Sequence, residues 1–373
     1  MKNKKITLLL VIDVIVALIA LGFVMVAMWN RPLGPSLAQS NDTKTQSETA
    51  SQSTPVSGDA AAEQQSTPTP SSLFTKIINI LSPATEKMNT ACGGPPVMYV
   101  LLIGSDIRRS DYSYGLADSI RLARIDFVDP SVTMLDFPRD LWVEIPGISD
   151  HYDITHAKLN QAYFFGSPSM QYYDGSDGGA GLTAKTLALN FGARVDHYLV
   201  MNMNTFVRLV DSVDGVDIYL DREIDMNPEQ DGANPDKVFP AGTLHLDGTQ
   251  ALAFVRDRIP TIFQRARYQT MILKALEQKL LTPAMIPAWP QMIADFNNSV
   301  QTDLSPNEIS QLMCLAKSVA NDKINTVAFP DGMFKSASTY DPYRKVYTYT
   351  LDADFNQIRQ YIADFMDGTW STP

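Results

Sequence analysis

Four arginines, Arg256, Arg258, Arg265 and Arg267, fall within twelve positions of a chain whose formal net charge is −11. Guanidinium groups grip phosphate or carboxylate oxygens through paired N–H donors, so cations gathered against the overall charge suit an anion site. Read as a strand, AFVRDR (253–258) sends Phe254, Arg256 and Arg258 to one face and Val255 and Asp257 to the other. The segment 264–281 reads as a helix. Going back from Leu280, the apolar stripe Leu276, Leu273, Ile272 has helical spacing, and the same steps reach Gln269 and Arg265. The buried side of this helix therefore turns polar and cationic in its first turn, where backbone N–H groups also favour an anion. Salt bridges to nearby acids would use the same arginines.

Other charged residues fall where strands end. Asp106 and Arg108 follow VMYVLLIG (97–104), Asp118 precedes a strand at 119–127, Arg139 and Asp140 follow one at 132–137, and Lys158 opens a helix. Loops outside strand ends are where α/β sheets bind ligands. Any one of these residues alone is equally a surface ion pair; their joint placement points to a site.

The elements that must position them alternate in type. Further strands are expected at 196–201, 215–220, 252–256 and 324–329, and helices at 182–191, 206–212 and 306–321. The turn 128–131 makes the second and third strands a hairpin. Residues 238–246 read as a loop or short hairpin leading into a helix at 247–251. Strands interleaved with helices imply a layered α-β-α domain with a mixed central sheet. The glycine-rich GSDGGAG (175–181) reads as a flexible loop and helix start rather than a phosphate cradle.

Toward the N-terminus the composition changes. Residues 6–28 are apolar apart from Thr7, Asp13 and Gly22, and as a helix about 34 Å long would span a bilayer. Lys2, Lys4 and Lys5 before it place the tail 1–5 in the cytoplasm and the rest outside. The apolar run exceeds the ~7–15 residues of a signal-peptide core, which favours an uncleaved anchor. Residues 29–72, rich in Ser, Thr, Gln and Pro, read as a disordered linker. A short amphipathic helix is expected at 73–81, within a folded part running over 73–373. Cys92 and Cys314, both on the exported side, are either a disulfide or two separate buried thiols. The acidic balance argues against nucleic acid, and the four histidines lack metal-ligand spacing.

The motifs LLIGSDIR (101–108), ADSIRLARID (117–126), DFPRDLWVEIPG (136–147), KLNQAYFFG (158–166), VDGVDIYL (213–220), LHLDGTQALAFVRDR (244–258) and QRARYQ (264–269) come in the order that resembles the LytR-CpsA-Psr family of bacterial envelopes, over about 97–279. The resemblance implies a phosphotransferase that moves a glycopolymer from an undecaprenyl-pyrophosphate carrier to a cell-wall hydroxyl, generally of peptidoglycan, forming a phosphodiester. It implies that Arg139, Arg256, Arg258 and Arg265 act on the pyrophosphate, that Arg108, Lys158 and Gln269 help to bind it, and that Asp106 and Asp118 hold Mg²⁺. The implied setting is a bacterial cell membrane, with a single span and an extracytoplasmic domain. The chain departs from the family pattern at Ile262, where an aspartate is usual, and at Tyr268-Gln269, where Arg-Gln is usual. The loss of an acid keeps a second class open, a non-catalytic binding or regulatory protein for lipid pyrophosphate or envelope polymer.

Overall fold

VMYVLLIG carries almost no polar side chain, the pattern of a strand covered on both faces. In the computed structural model it is the central strand β1 (Val97–Ser105), and Leu101 and Ile103 are fully buried. The structure describes residues 28–37, 90–107, 112–149, 151, 153–227, 237–256, 262–282, 284–296, 299–330 and 332–370. These belong to one unit; residues 39–89 form another, outside the described residues.

After β1 come β2 (Ala117–Asp126), β3 (Ser131–Asp136), β4 (Trp142–Glu144), β5 (His156–Lys158), α1 (Leu159–Gly166), α2 (Gly178–Phe191), β6 (His197–Asn202), α3 (Met203–Ser212) and β7 (Val216–Leu220). The chain continues through β8 (Ile224–Asp225), β9 (Val238–Phe239), β10 (Gly242–Leu246), α4 (Gly248–Arg256), α5 (Ile262–Leu280), α6 (Trp289–Phe296), β11 (Val300–Thr302) and α7 (Pro306–Ala316). It ends with β12 (Ile324–Val327), β13 (Lys335–Asp341), β14 (Val346–Asp352) and α8 (Phe355–Asp367). The central sheet has the order β11-β6-β1-β2-β3-β12 and is mixed: β1 runs parallel to β6 and antiparallel to β2, and β3 runs parallel to β12.

Alternation along the strands divides the core. Tyr99, Leu101, Ile103, Leu122 and Leu135 pack with Leu159 and Phe165 of α1, Leu187 of α2 and Ile358 of α8. Met98, Val100, Ala123 and Ile125 face the other way, against Leu315 of α7. A further cluster joins α3, α4 and α5 to β7 and β10. This is the expected layered α/β arrangement with a mixed sheet. Cys92 and Cys314 form a disulfide that ties the start of this body to α7.

The expected strand at 252–256 is instead the second half of α4. Asp247 starts the helix: its carboxylate accepts from Gln250 N at 2.8 Å while the Gln250 side chain accepts from Asp247 N at 3.1 Å, a reciprocal cap. Ala251 and Phe254 are then buried at helical spacing. Over so few residues that spacing and strict alternation select overlapping sets, and the cap decides between them. Most of the glycine-rich 175–181 segment lies inside α2, whose glycines allow α1 to come close. A Cβ on Gly179 would stand 2.6 Å from the Tyr163 carbonyl oxygen.

Residues 29–37, read from composition as linker, lie on the domain. Leu33 N donates to Leu304 O at 3.2 Å, Tyr198 Oη donates to Pro35 O at 3.0 Å, and Gly34 sits where a Cβ would be 2.6 Å from Thr302 O. Their small and proline-rich character suits a strip laid on a surface as well as it suits coil. Among the described residues no helix is long and apolar enough to cross a membrane. The expected anchor lies outside them except for Met28, and so do the rest of the linker and the helix at 73–81.

Candidate functional site

The site forms where β2, the turn after β3, the start of α1 and the first turns of α5 meet. Phe137 N donates to Ile120 O at 2.9 Å, and Leu141 N closes a turn onto Pro138 O at 3.2 Å, which holds Arg139 and Asp140 beside β2. Asn160 N of α1 donates to Arg139 O at 3.0 Å. Lys158 precedes α1, and its N–H is capped by the Gln161 side chain at 2.9 Å. Arg265 and Gln269 come from one face of α5, as the stripe leading to Ile272 requires.

A chain of alternating charges runs across these elements. Arg139 pairs through Nη1 with one oxygen of Asp118, and Arg265 Nη2 lies 3.2 Å from the other. Arg139 Nε is 3.3 Å from Asp140, whose second oxygen is 2.9 Å from Lys158 Nζ. Arg265 is only 7% exposed, so its charge is held in a weakly screened place. For Arg265 both earlier readings of the arginines are thus present, since it lines a cavity and is also ion-paired to an acid.

Asp106 lies just beyond β1, where its carboxylate accepts from Leu116 N at 2.7 Å. Burial raises its pKa above the usual carboxylate range; the Leu116 N–H opposes this and the nearby Asp118 charge adds to it. Two carboxylates that feel one another beside arginines suit a hard cation completing its shell with phosphate oxygens and water, the habit of Mg²⁺. They do not suit an all-protein cage, as no group of three or more His, Cys, Asp or Glu able to hold a metal stands among the described residues.

Two cavities meet here. One of about 370 Å³ is lined by Asp118, Arg139, Asp140, Arg265, Arg267, Gln269 and Lys274, with Phe137, Phe329 and Phe334. With Asp136 also on the wall, four cations face three carboxylates, a small positive excess against the sign of the whole chain. The other, of about 250 Å³, lies between the sheet and α3, α4 and α5, and is lined by Leu102, Ile103, Leu199, Met201, Phe206, Leu252, Ile272 and Leu273. Asp118, Ser119, Arg265 and Gln269 belong to both walls. The stripe of α5 is therefore divided: the half-buried Leu273 lines the apolar cavity, Leu276 is packed in the core, and Ile272 does both, fully buried in that core and at the cavity wall.

Of the residues singled out in the sequence, Asp118, Arg139, Arg265 and Gln269 come together, with Lys158 joined through Asp140. Arg256 stands at the end of α4, exposed, on the wall of the apolar cavity. Arg108 and Arg258 lie outside the described residues, as does the side chain of Ile262, which opens α5. Two residues went unnoticed as part of the site. Lys274 lines the charged cavity with Arg267, one of the four clustered arginines, and its helical spacing from Arg267 on α5 is the signal that could have found it. Arg121 is buried between β2 and α5, in a position only the strand register reveals.

A mixed sheet between helical layers, with an arginine-lined cavity at the strand ends, defines a layered α/β domain whose cavity suits an anion. The chain belongs to the LytR_cpsA_psr family, whose model matches residues 77–356. It is similar to the polyisoprenyl-teichoic acid–peptidoglycan teichoic acid transferase TagU of Bacillus cereus (strain AH820), with 28% identity over 215 residues, 56% of this chain and 61% of that protein. TagU of Enterococcus faecalis (strain ATCC 700802 / V583) is 26% identical over 217 residues, 57% of this chain and 63% of that protein. The chain thus spans less than two thirds of the length of these curated relatives. In fold it is similar to B. subtilis TagV, with a TM-score of 0.55 at 22% identity, over 75% of this chain and all of that one. TagT bound to LIIa-WTA is similar at a TM-score of 0.52 and 22% identity, over 74% of this chain and 91% of that one.

Proposed function

We propose that this protein transfers a glycopolymer from a polyprenyl-pyrophosphate carrier to a hydroxyl of the cell wall. The observation that carries this reading is the meeting of a cationic and an apolar cavity at Arg265 and Gln269. An amphiphile with an anionic head and a long hydrocarbon chain has that shape and polarity. The names of the TagU relatives describe such a transfer for those proteins.

In this reading the acceptor oxygen attacks the sugar-side phosphorus, the bridging P–O bond breaks, and lipid monophosphate leaves. Arg139 and Arg265 hold the phosphoryl oxygens and stabilise their charge, so positioning does most of the catalysis. Asp118 keeps both guanidinium groups aimed at one point. Arg256 and Arg258 also act on the pyrophosphate, and Arg108, Lys158 and Gln269 assist binding. Asp106 and Asp118 would hold Mg²⁺, which would supply neutralisation of phosphoryl charge. The carrier is undecaprenyl pyrophosphate, the acceptor is peptidoglycan, and the chain sits in the bacterial membrane by a single span at 6–28 with its domain outside.

Ile262 favours a second reading, a protein that binds lipid pyrophosphate without turning it over. One assay separates them. The full chain is incubated with radiolabelled undecaprenyl-pyrophosphate glycan and peptidoglycan fragments, with Mg²⁺ or with chelator. Metal-dependent label on the acceptor is expected; binding without transfer to any acceptor would sink the enzyme reading. Arg139→Ala should weaken both binding and transfer.

A further inference from the structure

The hairpin of β13 and β14 shows solvent a face made of rings and hydroxyls. Tyr340 pairs with Tyr347 and Ser338 with Tyr349 across the strands, and the two-residue alternation puts Ser336 on the same side. Tyr340 is 48% exposed, Tyr347 75% and Tyr349 46%. The Tyr340 and Tyr347 rings stand 5.6 Å apart, and Ser336 Oγ lies 3.2 Å from Tyr349 Oη. The opposite face is the structural one. Thr339 and Thr350 share a hydrogen bond of 2.8 Å, and the fully buried Asp341 accepts from Gln161 Nε2 of α1 at 3.0 Å. The tyrosines are therefore not needed to hold the hairpin down, and three large rings on one exposed face mark a contact surface.

The hairpin that carries this face is joined to the candidate site. Leu351 N donates to Asp140 O at 2.8 Å, and Phe334, just before β13, lines the charged cavity. Tyr349 stands two residues from Leu351, about 7 Å along the strand, and Tyr347 about 7 Å farther. The row begins beside the residue that bridges Arg139 to Lys158 and leads away from it.

Its chemistry selects the occupant. None of the five side chains is charged, so a polyanion gains nothing from them. None is aliphatic, which a lipid surface would favour. Ring faces take up the C–H faces of sugars, and tyrosine and serine hydroxyls both donate and accept hydrogen bonds to sugar hydroxyls. We infer that the face formed by Ser336, Ser338, Tyr340, Tyr347 and Tyr349 binds an uncharged polysaccharide, the glycan strand of the acceptor, and guides it toward Asp140 and Arg139. The inference rests on the transfer reaction proposed above for the identity of that strand as acceptor.

The test compares the full chain with a variant carrying Tyr340→Thr, Tyr347→Thr and Tyr349→Thr, which keeps strand-forming residues on the hairpin. Co-sedimentation with peptidoglycan sacculi stripped of anionic polymer should fall about tenfold or more, from the loss of three ring contacts. Binding of undecaprenyl pyrophosphate and the melting temperature should stay as in the unmodified protein. Tyr347→Phe, which keeps the ring, should retain most sedimentation. Equal sedimentation of the two proteins would overturn the inference, as would a loss confined to lipid vesicles, or a loss explained by a dimer that the triple variant no longer forms. If sacculi bind through the tyrosines but no glycan is ever transferred, the surface stands and the transfer reaction fails.

Discussion

The guanidinium of Arg121 lies 2.7 Å from the carboxylate of Asp136, directly across the β2–β3 register, and Arg121 is only 2% exposed. Its Nη2 also donates to Thr270 Oγ1 of α5 at 3.2 Å. A buried cation thus links the central sheet to the helix that carries Arg265 and Gln269, one residue before Thr270.

Removing one partner of a buried pair strands the other charge. Arg121→Met is expected to lower unfolding free energy by about 3–5 kcal/mol, and the double variant with Asp136→Asn to recover most of that loss. Burial raises Asp136 to about 6 from 3.8, with Arg121 opposing the rise. A raised carboxylate contributes stability that is full below 3.8 and lost as pH climbs through about 6. Urea unfolding should therefore show wild type losing stability relative to Asp136→Asn across that window. A constant difference from pH 3.5 to 7 would contradict this assignment.

A second titration concerns His197, which has Asp303 at 3.5 Å and Glu308 at 3.3 Å. Burial pulls its pKa down, but the carboxylates of Asp303 and Glu308 beside the ring outweigh it and raise it above 6.5. The protonated form is the stabilised one, so its contribution is full below 6.5 and fades as pH rises through the elevated value. Thermal melts of wild type and His197→Gln should converge at alkaline pH and diverge in favour of wild type at pH 6. Parallel curves would remove His197 as the cause.

The Cys92–Cys314 bridge closes a loop of 222 residues. Replacing both cysteines by serine should lower stability by about 2–5 kcal/mol, read from the denaturant midpoint. A midpoint that does not move would mean that the segment before β1 is held equally well by its other contacts, such as Ala91 N to Phe127 O at 2.6 Å.

Leu273 tests the apolar cavity without touching the arginines. Leu273→Trp should fill much of its roughly 250 Å³ and weaken binding of polyprenyl pyrophosphate about tenfold, an overpacking cost of 1–3 kcal/mol. Inorganic pyrophosphate, which has no chain to place, should bind as before. Equal losses for both ligands would show a general disturbance of α5.

Much of this was legible from local patterns. The continuous apolar run of β1, the turn at 128–131 and the stripe from Leu280 back to Arg265 each carry a period that a single element must satisfy. Arg256 was misplaced because AFVR is too short for period alone to separate strand from helix, and the decisive cap lies upstream at Asp247. Arg121 was missed because its partner is set by cross-strand register, a long-range fact. The β13–β14 hairpin had a signal that went unread: Tyr347, Thr348, Tyr349 and Thr350 alternate rings with hydroxyls after the turn Asp341-Pro342. Arg139, Arg265 and Asp118 were found as types and positions, but their convergence on one carboxylate needs three elements to be packed first.

The strip 29–37 alters what a change in chain length would do. Trp29 Nε1 donates to Asn307 Oδ1 at 3.3 Å, Leu33 is fastened to Leu304 and Tyr198 to Pro35, so the strip meets the domain from its first residue onward. Residues 38–89 come after that fastening, and by Ala91 the chain is again bonded to the domain at Phe127. The chain therefore meets the domain at two separate places, and deleting residues 29–37 would remove the first while leaving the second.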